Sequence, residues 1–509
     1  MPKKIIIVGA GPGGLSSAMI LGKRGFDVSV YEKNNYPGGR NGAIREQGYT
    51  FDLGPTFLMM KFILDEIFAE AERNSDDYLK FTKLDPMYRL SFEDMDLNIY
   101  DDKNKLKQEL SKYFPKAAEG FDKFFNKESE RFPYIFACIQ KDYGKFKEFF
   151  TPTFLKAIPH IPFFGSIYDY LGKYFSEHKL RLSFSFQSKY LGMSAWECPA
   201  LFITIPFMEH AFGIYHVEKG LAEISIAMEK VAKEHGVKFY YKQPVKQILI
   251  KDKKVIGIEL ESGEKQFADE VIVNADFGYV VNNLLPADKL KKWSPKKLAK
   301  KEFSCSAFMM YLGLNGEYKQ IAHHTIIFAK NYRQNMDDIF KNKKLPSEIS
   351  FYLRNASITD KTLAPEGKSN IYVLVPAPNN QANIDWSIAK QQIRELTLDS
   401  IEQRLGIKDI RKKIDFERII TPADWENKAN VYLGATFNLS HIPSQMLYFR
   451  PHNHFDDLDM YLVGGGTHPG SGLPIIYESG RIVANLISKK YKVPFTPPNS
   501  LKEKLLQKS

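Results

Sequence analysis

Cysteine is scarce in this chain. Cys138, Cys198 and Cys305 are the only three in 509 residues, widely spaced and with no Cys-x-x-Cys. So sparse and odd a set excludes a disulfide framework and a thiolate zinc site, and it suits a reducing, cytoplasmic compartment. Long apolar runs are missing too: pieces such as Tyr134–Ile139 fall far short of the roughly 20 residues that a spanning helix needs. Lys3-Lys4 ahead of an apolar run imitates a secretion signal, but no clean small-x-small cleavage site follows. There is no Gly-x-Ser-x-Gly elbow and no Walker loop, which argues against serine-hydrolase and P-loop chemistry. Neither sign of charge dominates. Lys and Arg number 71 against 60 Asp and Glu, a balance of +11 compatible with nucleic acid, an anionic membrane surface or plain solubility. No nucleic-acid-binding fold is signalled, so no such partner is expected. His452-x-His454 with Asp456 and Asp457, and the pair His323-His324, match no recognised ligand spacing; they read as solvated or core histidines, with no metal. Aromatics are what the chain has in excess, with 38 Phe and 27 Tyr. They imply a large aromatic-lined cavity, an apolar contact surface, or a core that absorbs them.

The most informative stretch is Lys3–Lys33. Ile5–Val8 is β-branched throughout, as in a strand buried on both faces of a parallel sheet. It runs into Gly9-x-Gly11-x-x-Gly14, a helical pattern up to Gly25, and a second strand, Phe26–Tyr31, that ends in Glu32. Gly9 makes the tight turn, Gly11 lets a pyrophosphate approach the backbone, and Gly14 lets helix and strand pack closely. The helix N-terminus offers its amides to the phosphates. Glu32 is placed to accept from a ribose 2′-hydroxyl, which favours FAD or NAD over NADP. Next comes the loop Asn34–Arg40, in which Arg40 is either a phosphate or flavin contact or a solvated surface residue. Tyr49–Thr56 reads as a strand that stops at Gly54-Pro55.

Taken together, the fingerprint, Gly38-Gly39-Arg40 and Phe51-Asp52-x-Gly54-Pro55-Thr56 resemble the N-terminus of the bacterial phytoene desaturase family, within the amine-oxidase-like flavoproteins. The likeness continues at Cys305–Phe308, at Leu363–Gly367 and in the loop Gly464–Pro474, G-G-G-T-H-P-G-S-G-L-P, which leads into a helix from about Ile475 to Ile487. Two departures occur: Gly465 stands where Ala is usual, and Glu478-Ser479-Gly480-Arg481 replaces a Ser-Ala-Lys-like run. The resemblance implies FAD as cofactor, held by Gly9, Gly11, Gly14, Glu32, Lys33, Gly39, Arg40, Gly54, Pro55, Thr56, Val245, Gly466, Thr467, Gly472, Leu473, Pro474 and Ile475. His468 is the candidate catalytic group, through its place in the flavin-proximal loop. The helix after that loop is expected to stabilise the charge of reduced flavin.

The implied fold is α/β: a Rossmann-type FAD-binding domain built from separated segments, plus a substrate domain of mixed sheet with a helical, membrane-facing cap. Its expected parts are FAD-binding segments at 1–100, 212–288 and 441–490, a helical cap at 101–211, a substrate sheet at 289–440 and a basic tail at 491–509. Within the cap, Lys145–Phe164 mixes lysines, aromatics and three prolines, as an interfacial segment would, or a cap packed on its own domain. Lys289–Lys301, with seven lysines around Trp293, reads as an exposed helix or a contact with anionic lipid. The implied activity is FAD-dependent desaturation of phytoene or 4,4′-diapophytoene, a long isoprenoid hydrocarbon held in an apolar tunnel. No second Gly-x-Gly-x-x-Gly is present, so quinone or oxygen is the expected electron acceptor. The expected location is cytoplasmic, peripheral to the inner face of the membrane. Carotenoid isomerase, saturase and terminal-methyl oxygenase share these signatures; an amine oxidase, the other alternative, would want an aromatic cage beside the flavin. A non-catalytic prenyl-binding escort protein has a related fold but lacks a working cofactor site.

Overall fold

The apolar run at the N-terminus sits in the middle of a parallel sheet. In the computed structural model, which describes residues 1–496, strand Lys4–Val8 lies between Asp27–Tyr31 and Glu270–Val273. Lys238–Tyr240 and Tyr461–Leu462 complete the five strands, all pairs parallel. Val8 is in register with both Tyr31 and Val273, so three strands end at one edge. That edge is where an open α/β sheet binds its ligand. The strands come from well-separated stretches. Asp269, just ahead of Glu270–Val273, is tied to the first strand: its amide donates to the Lys4 carbonyl at 2.9 Å, and its carboxylate accepts from the Lys4 amide and the Lys3 ammonium.

A second, seven-stranded sheet runs in the order Ile414–Ile420, Ser306–Asn315, Lys368–Ala377, Phe351–Asn355, His324–Ile327, Tyr88–Ser91, Asp96–Ile99. It is antiparallel except where His324–Ile327 meets Tyr88–Ser91. Helix Trp386–Leu405 covers one face through Ile393, Leu398 and Ile401. Residues 101–212 are mainly helical, with Ala117–Ile139 the longest element. They share one continuous apolar cluster with the first sheet, from Leu15 and Leu21 through Ile63 and Phe68 to Phe121 and Phe132.

The Lys289–Lys301 stretch is only in part the exposed helix expected. Pro295–Leu298 is its one α-helical turn, Lys289 ends a 3₁₀ turn, and Trp293 is 2% exposed, so the indole is closed to lipid. Its indole donates to Asp456 and its backbone N–H to Asp457, both at 2.9 Å, which anchors the ring while the lysines face outward. His452 is a core residue on the same anchor, with Nδ1 2.7 Å from Asp456 and Nε2 2.9 Å from the Tyr448 carbonyl. The cysteines are buried and unpaired. Among the described residues no helix is long and apolar enough to cross a membrane. Of the expected tail 491–509, residues 497–509 lie outside the described residues.

Candidate functional site

A single cavity of about 820 Å³ joins the end of the parallel sheet to the inner face of the seven-stranded sheet. At its first end the backbone forms a cradle. Gly9 has φ +94°, and a Cβ there would stand 2.5 Å from the Asn274 carbonyl, so only glycine fits. Two helices open on this end without side-chain caps: Pro12–Lys23 after Gly11, and Leu473–Lys490 after Gly472. Pro12 and Pro474 have no N–H, but the other amides of the two first turns keep free donors beside one space, with no acidic residue in either first turn.

Side chains then fix the cradle. Glu32, 5% exposed, accepts from the Ala10 amide at 2.8 Å and from the Asn34 amide at 2.9 Å, tying the glycine turn to the following loop. Arg40 donates to the Thr436 carbonyl at 2.6 Å, and Thr436 Oγ1 is buried with no partner among the described residues. Asp276 accepts from Asn438 at 2.6 Å and from the Tyr279 amide. Burial pushes its carboxyl up against the opposing pull of Arg40. Two tyrosines of the larger sheet hold the Gly-Pro turn: Tyr311 donates to the Leu53 carbonyl at 2.6 Å and Tyr372 to the Gly54 carbonyl at 2.8 Å. Uncapped helix ends, a terminal acid and a backbone cradle suit a dinucleotide with an anionic middle and a ribose at one end. The residues present fit FAD.

Of the residues expected at the cofactor, Gly9, Gly11, Glu32, Lys33, Gly39, Arg40, Gly54, Pro55, Thr56, Val245, Gly466, Gly472, Leu473 and Pro474 line this cavity. Gly14 lies beneath it, where a Cβ would be 2.4 Å from the Gly9 carbonyl. Thr467 faces away and donates to the Pro451 carbonyl at 2.6 Å; at Ile475 it is the neighbouring Ile476 that reaches the wall. His468 is corrected as well. It is not part of the wall: its Nε2 lies 2.7 Å from the Lys141 carbonyl and its ring meets Tyr143 edge-on. Burial lowers its pKa to about 4, and the ring ties the 141–150 segment to the glycine loop.

Beyond the cradle the wall turns mostly apolar and aromatic, with Phe57, Met59, Phe186, Ile214, Ile326 and Leu374. A few polar groups interrupt it. Lys189 has no carboxylate partner among the described residues, and burial lowers its ammonium to about 7. Tyr88 donates to the fully buried Glu209 at 2.9 Å, whose carboxyl burial raises to about 7. His324 and Tyr352 stand together in the same wall. Sequence reasoning missed Asn274, Asp276, Arg450, Tyr311 and Tyr372. Of these, Asn274 and Asp276 follow the end of strand Glu270–Val273 and line the cavity.

The chain matches the family model for flavin containing amine oxidoreductases over residues 12–488, and it belongs to that family. Within it the chain falls among the FAD-dependent carotenoid desaturases. It is 50% identical over 494 residues, 97% of this chain and 96% of the relative, to a 4,4′-diapophytoene desaturase (4,4′-diapolycopene-forming) of a Methylomonas species. It is 34% identical over 485 residues, 94% of this chain and 93% of the relative, to a zeta-carotene-forming phytoene desaturase of Myxococcus xanthus. In three dimensions an oxidoreductase of Methanosarcina mazei aligns with TM-score 0.62 at 17% identity, covering 95% of this chain and 100% of that one, which speaks for the fold alone.

Proposed function

We propose that this chain desaturates the C30 hydrocarbon 4,4′-diapophytoene. The observation that carries the reading is the continuity of one cavity from the dinucleotide cradle to a wall of aromatic and aliphatic side chains. A hydrocarbon has no polar handle, so shape and burial must hold it, and water is excluded where the C–H bonds break. When bound, FAD supplies the two-electron oxidation that turns a C–C single bond into a double bond. Glu32 would hold the ribose. The amides of Gly11, Gly13 and Leu473 would hold the diphosphate and the charge that develops on the reduced ring. Quinone or oxygen takes the electrons away.

The substrate arrives from lipid. Phe146, Phe150, Phe163 and Phe164 are 66%, 64%, 59% and 89% exposed, with Phe449 57% exposed beside Tyr448 and Phe146 in ring contact with Tyr448. Lys145, Lys147 and Lys156 flank them, a mixture suited to headgroups above and acyl chains below. Co-expression with a C30 or a C40 precursor pathway tests the activity. The C30 strain is expected to accumulate pigment with lengthened conjugation, and colourless extracts from both strains reject the reading.

A further inference from the structure

We infer that Arg354 is a positioning residue for cofactor and substrate together: from behind the cavity wall its guanidinium fixes the Leu53–Thr56 turn against the strand that carries Ile214. The inference rests on the FAD and desaturase readings. Strand Phe351–Asn355 grips that turn at both of its ends. Residues two apart on a strand share a face, and here they are Tyr352 and Arg354. Tyr352 Oη lies 2.7 Å from Thr56 Oγ1, at the end of the turn, and Arg354 donates to the Asp52 carboxylate at 2.5 Å, just before it. Leu53, Gly54, Pro55 and Thr56 line the cavity, whereas Asp52 and Arg354 stand behind its wall. Asp52 is held from a third side as well. Its Oδ1 accepts from the Ala222 amide at 3.3 Å, at the start of helix Ala222–Glu234, and a Cβ on Gly220 would lie 2.7 Å from the same oxygen. Arg354 is its ion-pair partner.

Arg354, 1% exposed, turns its other N–H groups to two histidines. One donates to His216 Nδ1 at 3.0 Å and Nε donates to His323 Nε2 at 3.3 Å. A guanidinium can only donate, so both of those ring nitrogens are lone pairs. The opposite nitrogens carry the hydrogens: His216 Nε2 donates to Asp360 at 3.0 Å and His323 Nδ1 to Thr359 at 2.7 Å. Asp360 also accepts from the Lys219 amide and from Thr362. Among the described residues no buried side-chain N or O of Asp52, Arg354, His216, His323 or Asp360 is left unpaired. His216 belongs to strand Ile214–Val217, in which Ile214 lines the apolar end of the cavity opposite Met59, another wall residue. One guanidinium therefore joins the turn at the cradle to the wall at the apolar end. A lysine there keeps the charge but offers one nitrogen where the fork has three.

The network is complete only while both histidines are neutral, which makes the clamp sensitive to acid. A proton on His216 Nδ1 or His323 Nε2 would aim an N–H at the guanidinium. Burial first, with Arg354 among the charges, keeps both rings below the usual histidine range, in His216 against the pull of Asp360. The other charged and titratable groups around them are Asp52 and His324, with Glu218 and Lys361 lining a small polar cavity beside His216. Because the folded pKa values are lowered, the stability tied to these rings is full above about pH 6.5 and is lost as pH falls below it.

The test follows FAD release from the holoprotein by flavin fluorescence, beside turnover of C30 substrate in liposomes. Arg354→Lys is expected to release FAD about tenfold faster and to lower kcat about tenfold with KM within twofold of wild type. Leu398→Ala, in the helix that covers the other face of the sheet, is the control for lost stability: its melting temperature falls while release and kcat stay as in wild type. His216→Gln keeps an acceptor for Arg354 and a donor for Asp360 but cannot take up a proton. It is expected to match wild type at about pH 8 and to show less of the faster FAD release that wild type develops between about pH 7 and pH 5. Release and kcat of Arg354→Lys within twofold of wild type, or a His216→Gln pH profile that coincides with wild type, overturns the inference. If Arg354→Lys does not fold, the two pH profiles decide it. An inactive wild type rejects the desaturase reading itself, and FAD release then decides the role of Arg354 on its own.

Discussion

Arg450 carries its charge into a place with no carboxylate partner among the described residues. It is 1% exposed and donates to the carbonyls of Gly465 at 2.7 Å and Thr467 at 3.1 Å, and burial lowers its guanidinium to about 10. By occupying those carbonyls it sets the shape of the glycine loop whose other face lines the cavity. Arg450→Met leaves two buried acceptors unmet, at about 1–3 kcal/mol each, and is expected to strip flavin from the purified protein, read by its visible absorbance. Glu32→Ala removes both the tie to Ala10 and the ribose acceptor, so flavin retention should fall at least tenfold; unchanged content would take Glu32 off the ribose. Glu209 makes a pH prediction. Its folded pKa of about 7 is raised above the ordinary carboxyl value by burial. Stability tied to it is therefore full below about pH 4 and is lost as pH rises to 7, by roughly 3 kcal/mol in all. Glu209→Gln is expected to match wild type in melting temperature near pH 4 and to exceed it at pH 8.

Among the elements, the two helices that serve the cradle also brace each other. Gly480 in Leu473–Lys490 meets Pro12–Lys23 so closely that a Cβ would lie 2.5 Å from the Gly13 carbonyl. Ser16 and Ser17 donate across the contact to the carbonyls of Tyr477 and Gly480. Glu478 and Arg481, the run that departs from the family pattern, form a buried pair that Glu66 and Glu70 extend toward helix Lys61–Glu70. Gly480→Val must push the helices apart; a loss of about 1–3 kcal/mol and a partial loss of flavin are expected in thermal melts of the holoprotein. Both helices were legible in the sequence because glycine turns, apolar strands and helical periodicity are local signals. The direction in which His468 faces was not, since its neighbours in the chain do not say that Lys141 offers it a carbonyl. Arg450 and the two tyrosines were hidden for the same reason, as their partners lie on other strands and loops. Trp293 misled because lysines around an indole look alike whether the ring turns in or out.

For the molecule as a whole, the aromatic surface gives the clearest prediction. Replacing Phe163 and Phe164 together by Ser is expected to cut co-sedimentation with anionic liposomes about tenfold while leaving flavin content intact; equal binding would detach this face from lipid. High salt should weaken the lysine contribution and leave the aromatic one. The sequence indicated the two-sheet plan but not that one apolar cluster welds the helical region to the first sheet, because burial shared across distant segments has no local pattern. The hydroxyls of Tyr311 and Tyr372 add something broader. The strands that line the apolar end of the cavity also hold the Leu53–Thr56 turn at its other end, so on the proposed reading the substrate and flavin sites cannot be tuned apart. Grafting residues 306–377 from a desaturase of another chain length should transfer not only product length but also the tightness and redox poise of the bound flavin, unless the recipient's Leu53–Thr56 turn is exchanged with it.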